Sequence, residues 1–360
     1  MDSAADTIAA IATAPGPSAL AVVRMSGSQA LSIGQQFLMG MGGIKSPVLH
    51  PRRTYLCEVL DSDGLAVDQA IVTFYRGPAS YTGEDVLELT VHGGAMASRV
   101  TLDQCLRHGA RAALPGEFTL RAFLAGRLDL SQAEAVIDTV EAQTQAGLRL
   151  AHRQLTGGLS SRVEGIRRTA LGALAQVEAA VDFPDDVDEP DRTALAGELE
   201  NAARVAHQLA LEARAGKIYR DGIRLAIIGR PNVGKSSLLN ALLREDRAIV
   251  TPIPGTTRDV IEETMSLGGV PIRVLDTAGI HPTDDPVERL GVERALRSAH
   301  SADLCLLVLD RSEPLQEDDW GALEQTSGIR TVIILNKCDL AAAWKGECID
   351  NEIVLDGRTA

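Results

Sequence analysis

The chain has 360 residues, of which 45% are hydrophobic and 23% are charged, with a formal net charge of −14. This length predicts two to three domains, and the composition is that of a globular protein. The acidic balance argues against a generally basic nucleic-acid-binding surface. No apolar run is long enough to span a bilayer, and the acidic N-terminus is unlike a signal peptide, so we expect a cytoplasmic protein with no membrane partner.

Residues 1–130 alternate short apolar runs with turns rich in glycine and proline. We expect them to form an N-terminal α+β domain. The pattern predicts three strands and two short helices, over Leu20–Val23, Ala70–Phe74, Val86–Val91, Ser98–His108 and Gly116–Ala125.

Residues 131–217 carry apolar side chains at every third or fourth position, which predicts a helical domain. The acidic stretch 182–191 is expected to be a solvated loop between helices, with a cation site as the alternative. The one basic concentration of the chain also lies here and fits either a solvated helix face or a surface for RNA phosphates. It consists of Arg149, Arg153, Arg162, Arg167 and Arg168.

Residues 218–360 alternate short apolar runs with helical segments, which is typical of a mostly parallel sheet covered on both faces. The predicted strands are Arg224–Ile228, Ile272–Leu275, Leu304–Leu309 and Thr331–Leu335. The whole chain is therefore expected to be a multidomain α/β protein. Its five cysteines form no C-x-x-C pair and are expected to be free thiols.

The most specific motif is Gly-Arg-Pro-Asn-Val-Gly-Lys-Ser at 229–236, which matches G-x-x-x-x-G-K-[ST] between a predicted strand and a predicted helix. Such a loop surrounds phosphates with backbone N–H groups at a helix N-terminus. We expect Lys235 to contact the β- and γ-phosphates and to act in catalysis. Ser236 is expected to ligate Mg²⁺.

Three further motifs follow in the order that a guanine-nucleotide switch requires. Pro-Gly-Thr-Thr-Arg-Asp at 254–259 offers Thr257 as a second Mg²⁺ ligand. Asp-Thr-Ala-Gly at 276–279 ends a strand and places Asp276 near the metal. Asn-Lys-Cys-Asp at 336–339 ends another strand, and the Asp339 carboxylate can accept from N1–H and the 2-amino group of guanine, which selects GTP over ATP.

The residues assigned to GTP binding come from these motifs and from the segment that leads into the second one. They are Asn232, Val233, Gly234, Lys235, Ser236, Ser237, Thr251, Pro252, Ile253, Pro254, Gly255, Thr256, Thr257, Asp276, Thr277, Ala278, Gly279, Asn336, Lys337 and Asp339.

Ile280 follows Asp-Thr-Ala-Gly, where Ras-like enzymes have a glutamine that positions water. Hydrolysis therefore needs another polar residue or a partner. A monovalent cation near the bridge between the β- and γ-phosphates could supply positive charge, so we expect K⁺ to stimulate hydrolysis. A slow nucleotide-sensing switch is the alternative.

Beyond these motifs, the chain resembles the MnmE (TrmE) family of tRNA-modification GTPases. The resemblance rests on ATAPG and VVRMSG near the N-terminus, SYTGEDVLELTVHGG at 80–94, LPGEFTLRAFLAGRLDLSQAEAVIDTV at 114–140 and AAVDFPDD at 179–186. GRPNVGKSSLLNAL and PGTTRDV continue it. These segments stand in the family's order along essentially the whole chain.

The resemblance implies an N-terminal domain that dimerises and binds a tetrahydrofolate, a helical domain, and a Ras-like G domain inserted into the helical one. It also implies GTP hydrolysis coupled to tRNA modification. With a flavin-dependent partner of the MnmG/GidA type, in a heterotetramer, the family adds an aminomethyl or carboxymethylaminomethyl group to C5 of the wobble uridine of certain tRNAs. A 5-formyl- or methylene-tetrahydrofolate would supply the one-carbon unit.

Carried over to matching positions, the resemblance implies folate contacts at Arg24, Glu88 and Arg127. It implies that Glu288 orients the attacking water. Without the resemblance, Glu88 would be an ordinary acid on the solvated face of a strand. The implied K⁺ ligands are Asn232, Thr251, Ile253 and Thr256.

The chain departs from the family pattern in three places. Pro17-Ser18-Ala19 stands where the family has a glycine-rich stretch, and the last G motif reads Asp356-Gly357-Arg358. The chain also stops at Ala360, whereas the family continues with closing helices and a C-terminal Cys-x-Gly-Lys. We therefore expect a chain that is C-terminally shortened relative to the family, that binds GTP and is defective in tRNA modification.

A ribosome-assembly or other translational GTPase switch without modification chemistry is the alternative function. That class shares the G motifs and lacks the N-terminal part of this chain.

Overall fold

The computed structural model describes residues 6–45, 47–245, 263–275, 301–326, 328–344, 346–349, 352–355 and 358–359. The chain divides into two compact units. The first contains Met1–Ile137 and Leu155–Ser160, and the second contains Asp138–Gln154 and Ser161–Ala360. Most of the predicted helical region thus groups with the second unit.

The first unit is built on an eight-stranded sheet in the order β4-β3-β5-β6-β7-β2-β1-β8. Neighbours pair antiparallel except β1 and β8, which are parallel. The three strands predicted here are confirmed as parts of β2, β6 and β7. The strands are β1 (Ile8–Ile11), β2 (Leu20–Ser26), β3 (Leu38–Gly40), β4 (Ile44–Lys45), β5 (Thr54–Leu60), β6 (Ala66–Tyr75), β7 (Val86–His92) and β8 (Arg111–Ala112).

Three helices belong to this unit, α1 (Ala30–Phe37), α2 (Ala95–Arg107) and α3 (Glu117–Leu124). The two predicted helices are confirmed as α2 and α3, whereas α1 is additional. Side chains alternate along β2 and β7, so Val23 and Leu89 are buried in the core with residues of α1 and α2. Arg24 and Glu88 consequently lie on the opposite face of the sheet.

Four helices follow, α4 (Leu130–Glu141), α5 (Gln145–Leu155), α6 (Gly158–Asp182) and α7 (Arg192–Asp221). The acidic stretch lies between α6 and α7, as predicted, and Asp191 caps α7 by accepting from the N–H groups of Thr193 and Ala194. Within the described residues, no three His, Cys, Asp or Glu side chains are grouped to hold a metal ion. The described helices also include none that is long and apolar enough to cross a membrane.

The second unit contains a five-stranded sheet in the order β10-β11-β9-β12-β13, parallel except for the edge strand β10. The four predicted strands are confirmed, and β10 is additional. A small antiparallel sheet, β14-β15-β16, follows. The elements are β9 (Ile223–Ile228), α8 (Lys235–Glu245), β10 (Glu263–Leu267), β11 (Val270–Val274), β12 (Leu304–Asp310), α9 (Glu317–Gln325), β13 (Thr331–Asn336), β14 (Gly346–Ile349), β15 (Glu352–Leu355) and β16 (Arg358–Thr359).

Candidate functional site

The phosphate loop, residues 229–236, connects the central strand β9 to α8. It lies at the carboxyl ends of the parallel strands, where ligands bind in open α/β folds. Gly229 and Gly234 have φ angles of 149° and 102°. A Cβ at Gly229 would overlap the carbonyl oxygen of Val308, and one at Gly234 would overlap the side-chain amide of Asn336. Glycine is therefore required at both positions, because the φ angles are positive and because the ends of β12 and β13 leave no room for a Cβ.

The Lys235 ammonium lies over this loop. Its Nζ donates to the carbonyl oxygens of Gly229 and Arg230, both at 2.7 Å, and burial lowers its pKa. Ser236 stands in the first turn of α8, where helix N–H groups and the helix dipole favour an anion. The donor set of the loop, an ammonium, a hydroxyl and a helix N-terminus, fits a nucleotide phosphate with Mg²⁺.

The guanine loop, residues 336–339, follows β13 and contacts the phosphate loop directly. The Asn336 amide donates to the carbonyl oxygen of Val233 at 2.7 Å. Lys337 has a φ angle of 58°, and its Nζ lies 2.5 Å from a carboxylate oxygen of Asp310. Asp339 is exposed at this edge of the sheet. The structure thus brings the phosphate loop and the Asn-Lys-Cys-Asp motif together.

Sequence reasoning missed two buried carboxylates beside these loops. Asp310, at the end of β12, pairs with Lys337, and Asp319, on α9, pairs with Arg230 at 2.8 Å. Burial alone would raise the pKa of Asp310, but the hydrogen bonds from Lys337 and Ser312 lower it overall. Neither acid belongs to a nucleotide motif. The sequence signals available were that Asp310 directly follows the predicted strand ending at Leu309 and that Asp319 comes ten residues after it.

Several predicted site residues lie outside the described residues. They are Thr251, Pro252, Ile253, Pro254, Gly255, Thr256, Thr257, Asp276, Thr277, Ala278, Gly279 and Glu288. Ile280 and the Asp356-Gly357 part of the last G motif also lie there.

In the first unit, Arg24 and Glu88 are direct cross-strand partners on β2 and β7. Arg24 Nε donates to Glu88 Oε1 at 2.8 Å, and Arg24 Nη2 lies 2.7 Å from the same oxygen. Both side chains keep about a quarter of their surface exposed, at 27% and 24%. This pair is half-buried on the face opposite the core, which leaves one side of it open to a ligand.

Two aromatic rings flank the Arg24 guanidinium and were not predicted as site residues. Its central carbon lies 5.5 Å from the ring centre of Tyr81 and 5.7 Å from that of Phe118, within range of cation–π attraction. Arg127 is exposed, and the Cγ and Cδ atoms of its side chain lie beside Gly83, in the turn that carries Tyr81. A carboxylate, a guanidinium and aromatic faces together suit a ligand with a polar heterocycle and an acidic tail.

Arg121, on α3, is only 6% exposed and lies among three carboxylates. They are Asp6 at 2.7 Å, Glu84 at 3.1 Å and Glu117 at 3.1 Å. Arg111 also pairs with Glu117, at 2.6 Å, and its hydrogen bonds contribute most to lowering the pKa of Glu117 to about 2. This charge network ties α3 to the ends of the sheet strands.

The arginines of the predicted basic concentration are partly engaged with acids. Arg162 pairs with Glu212, and Arg167 pairs with Glu164, each at 2.6 Å, and these side chains are exposed. Among the described cysteines, burial raises the pKa of Cys105 to about 12, which disfavours the reactive thiolate.

Two family models match the chain, "GTP-binding protein TrmE N-terminus" over residues 7–127 and "50S ribosome-binding GTPase" over residues 224–337. The tRNA modification GTPase MnmE of Roseiflexus sp. (strain RS-1) is 50% identical to it over 94% of this chain and 72% of that protein. The protein of the same name from Chloroflexus aurantiacus is 48% identical over 93% of this chain and 73% of its own length. That from Enterococcus faecalis is 48% identical over 93% and 72%.

Proposed function

The chain belongs to the MnmE family of tRNA modification GTPases, and on that premise we propose that it hydrolyses GTP in the C5 modification of the wobble uridine of certain tRNAs. The observation that carries the proposal is the extent of the family match, which includes residues 7–127 as well as the GTPase segment. A ribosome-assembly switch is not favoured, because the GTPase segment alone does not account for the N-terminal match.

The phosphate loop supplies the groups that GTP hydrolysis needs. Lys235 would exchange its two carbonyl acceptors for phosphate oxygens, because a hydrogen bond between two charged groups is the stronger one. Ser236 would hold Mg²⁺, which neutralises charge that develops on the transferred phosphoryl group. Asp339 would accept from the guanine edge and exclude adenine.

We propose that K⁺ completes this site. Asn232 is exposed on the phosphate loop, and its side-chain oxygen would be one ligand of the cation. The other proposed ligands are Thr251, Ile253 and Thr256. The cation would supply the positive charge that an arginine finger gives in other GTPases.

The hydrolysis rate in KCl should exceed that in NaCl at equal ionic strength by about tenfold or more, as expected when charge stabilisation at the transition state is added. Equal rates would contradict a K⁺ site. Glu288→Ala should slow hydrolysis by about a hundredfold with GTP affinity unchanged, because Glu288 would orient water. If that variant loses GTP affinity instead, Glu288 has a structural role.

We propose that the Arg24–Glu88 pair, with Arg127, binds a tetrahydrofolate, either 5-formyl- or methylene-tetrahydrofolate. Glu88 would accept from the amino-pyrimidine edge of the pterin, and the arginines would pair with the glutamate carboxylates. Tyr81 and Phe118 offer ring faces to the pterin.

Glu88→Gln should weaken binding of 5-formyl-tetrahydrofolate by about tenfold, because a charged acceptor becomes a neutral one. Isothermal titration measures this. Glu58→Gln, on strand β5 of the same sheet, is the matched control and should bind as the unaltered chain does. Equal binding by the two variants would remove Glu88 from the site.

We propose that the first unit also forms a homodimer and that the dimer works with a flavin-dependent partner of the MnmG/GidA type. Leu56 and Ile71 are adjacent on β5 and β6 and are 46% and 47% exposed, which marks an apolar patch on the sheet. Sedimentation should give a dimer for the unaltered chain and a monomer for Ile71→Asp. A monomer in both would contradict the proposal.

A further inference from the structure

The connection from the end of β12 to the first turn of α9 holds both nucleotide-contacting loops through buried acids. Asp310 and Asp319 are 2% and 3% exposed, and each gives one carboxylate oxygen to a basic side chain of a loop. Arg230 belongs to the phosphate loop and Lys337 to the guanine loop. The side chain of Arg230 is 10% exposed and that of Lys337 is 32% exposed, so both ion pairs are partly shielded from water, the Arg230 pair more than the Lys337 pair, and each restrains its loop.

The second oxygen of each carboxylate is fixed by its own chain segment. Asp310 Oδ1 accepts from the N–H and the hydroxyl of Ser312, at 2.8 and 2.6 Å. Asp319 Oδ2 accepts from the N–H of Gln316 at 3.0 Å, and the Asp310 carbonyl accepts from the Trp344 indole at 2.9 Å. Both acids are therefore held in place independently of the loops that they contact.

On the phosphate side, the pairing acts on the loop backbone. Arg230 Nε donates to Asp319 at 2.8 Å, and the Arg230 carbonyl is one of the two acceptors of Lys235 Nζ. The side chain of Arg230 thus fixes the peptide that orients the catalytic ammonium. A change here should alter the binding of any nucleoside triphosphate, whatever its base.

On the guanine side, the pairing acts on Lys337, which follows Asn336 and lies two residues before Asp339. Lys337 adopts a left-handed backbone conformation, which is unfavourable for a residue with a Cβ and persists when surrounding contacts hold it. The ion pair with Asp310 is such a contact. A change here should shift Asp339 and alter the recognition of the base.

We propose that Asp310 and Asp319 are positioning residues with different roles. Asp310 supports guanine recognition through Lys337, and Asp319 supports phosphate binding through Arg230. This inference rests on the proposed GTP site. It assigns nucleotide specificity to a residue outside the four nucleotide motifs.

A comparison of the affinities for GTP and inosine triphosphate distinguishes the two roles, because inosine triphosphate lacks the 2-amino group that Asp339 would bind. Their affinities are measured by competition against a fluorescent GDP analogue. Asp310→Asn should lower the ratio of GTP affinity to inosine triphosphate affinity by about fivefold, the size of one weakened hydrogen bond to a charged group. Asp319→Asn should lower both affinities by about fivefold and leave the ratio unchanged.

Asp303→Asn is the matched control, because Asp303 forms an exposed ion pair with Arg224 in the same unit. It should change neither affinity. If Asp310→Asn keeps the ratio of the unaltered chain, or if Asp319→Asn changes that ratio as much, the separation of roles is wrong. If the unaltered chain itself does not prefer GTP to inosine triphosphate, the proposed guanine site fails rather than this inference.

Double variants protect the test against misfolding. Asp310→Asn with Lys337→Met, and Asp319→Asn with Arg230→Met, remove both partners and leave no buried charge unpaired. The first should lower the affinity ratio and the second both affinities, as the single variants do. The same ratio in both double variants would overturn the proposal.

Discussion

The phosphate loop takes its groups from residues 229–236, which are consecutive, whereas the site around Arg24 takes Glu88, Tyr81 and Phe118 from segments far from Arg24 in the chain. Backbone angles at two glycines set the shape of the loop. The Arg24 site instead depends on strand register and on the charge network around Arg121, which holds α3 and its Phe118 ring. Local geometry therefore determines one site and long-range electrostatics the other, so the two should fail under different changes.

The largest expected effect is on stability of the first unit. Arg121→Met removes the buried cation that three carboxylates share, although Asp6 and Glu117 keep their ion pairs with Arg111, and should cost about 3 kcal/mol of unfolding free energy. It should also weaken tetrahydrofolate binding, with GTP affinity unchanged. Arg168→Met, at an arginine 75% exposed and 3.9 Å from its acid, is the matched control and should cost less than about 1 kcal/mol.

The two units can be followed separately, because both tryptophans of the chain, Trp320 and Trp344, lie in the second unit. Calorimetry should report a lower transition for Arg121→Met, while the unfolding followed by tryptophan fluorescence stays as in the unaltered chain. A parallel decrease in both signals would contradict the separation of the two sites.

Low pH should destabilise the first unit of the unaltered chain, as Arg121→Met does. The pKa of Glu117 is lowered to about 2 in the folded state, so its contribution is present above its usual pKa of about 4.5. The contribution is lost as the pH falls from about 4.5 to about 2, and it is on the order of 3 kcal/mol. The calorimetric stability of Glu117→Gln should depend less on pH over this range, and an unchanged dependence would count against the network.

Lys235→Ala should lower GTP affinity by about a hundredfold, or about 2.7 kcal/mol, because two charge-assisted bonds to phosphate are lost. Tetrahydrofolate affinity and the stability of the first unit should not change. Lys217→Ala, an exposed lysine in α7, is the control and should bind GTP normally. A drop in folate affinity on removal of Lys235 would show that the two sites are coupled.

The sequence predicted what is encoded locally. The phosphate loop, the strand before it, the helix after it and the position of Glu88 on a strand followed from motif spacing, apolar runs and family resemblance. Tyr81, Phe118 and Asp319 could not be predicted, because they reach their partners only through tertiary packing. Strand β10 was missed since Glu263–Leu267 is an edge strand with a mixed polar pattern rather than a buried apolar run.

The most direct test of the function is mass spectrometry of tRNA nucleosides from cells that lack this gene. We expect the C5-modified wobble uridines to disappear from the affected tRNAs. Unchanged amounts of the C5-modified nucleosides in the cells that lack the gene would contradict the proposed function.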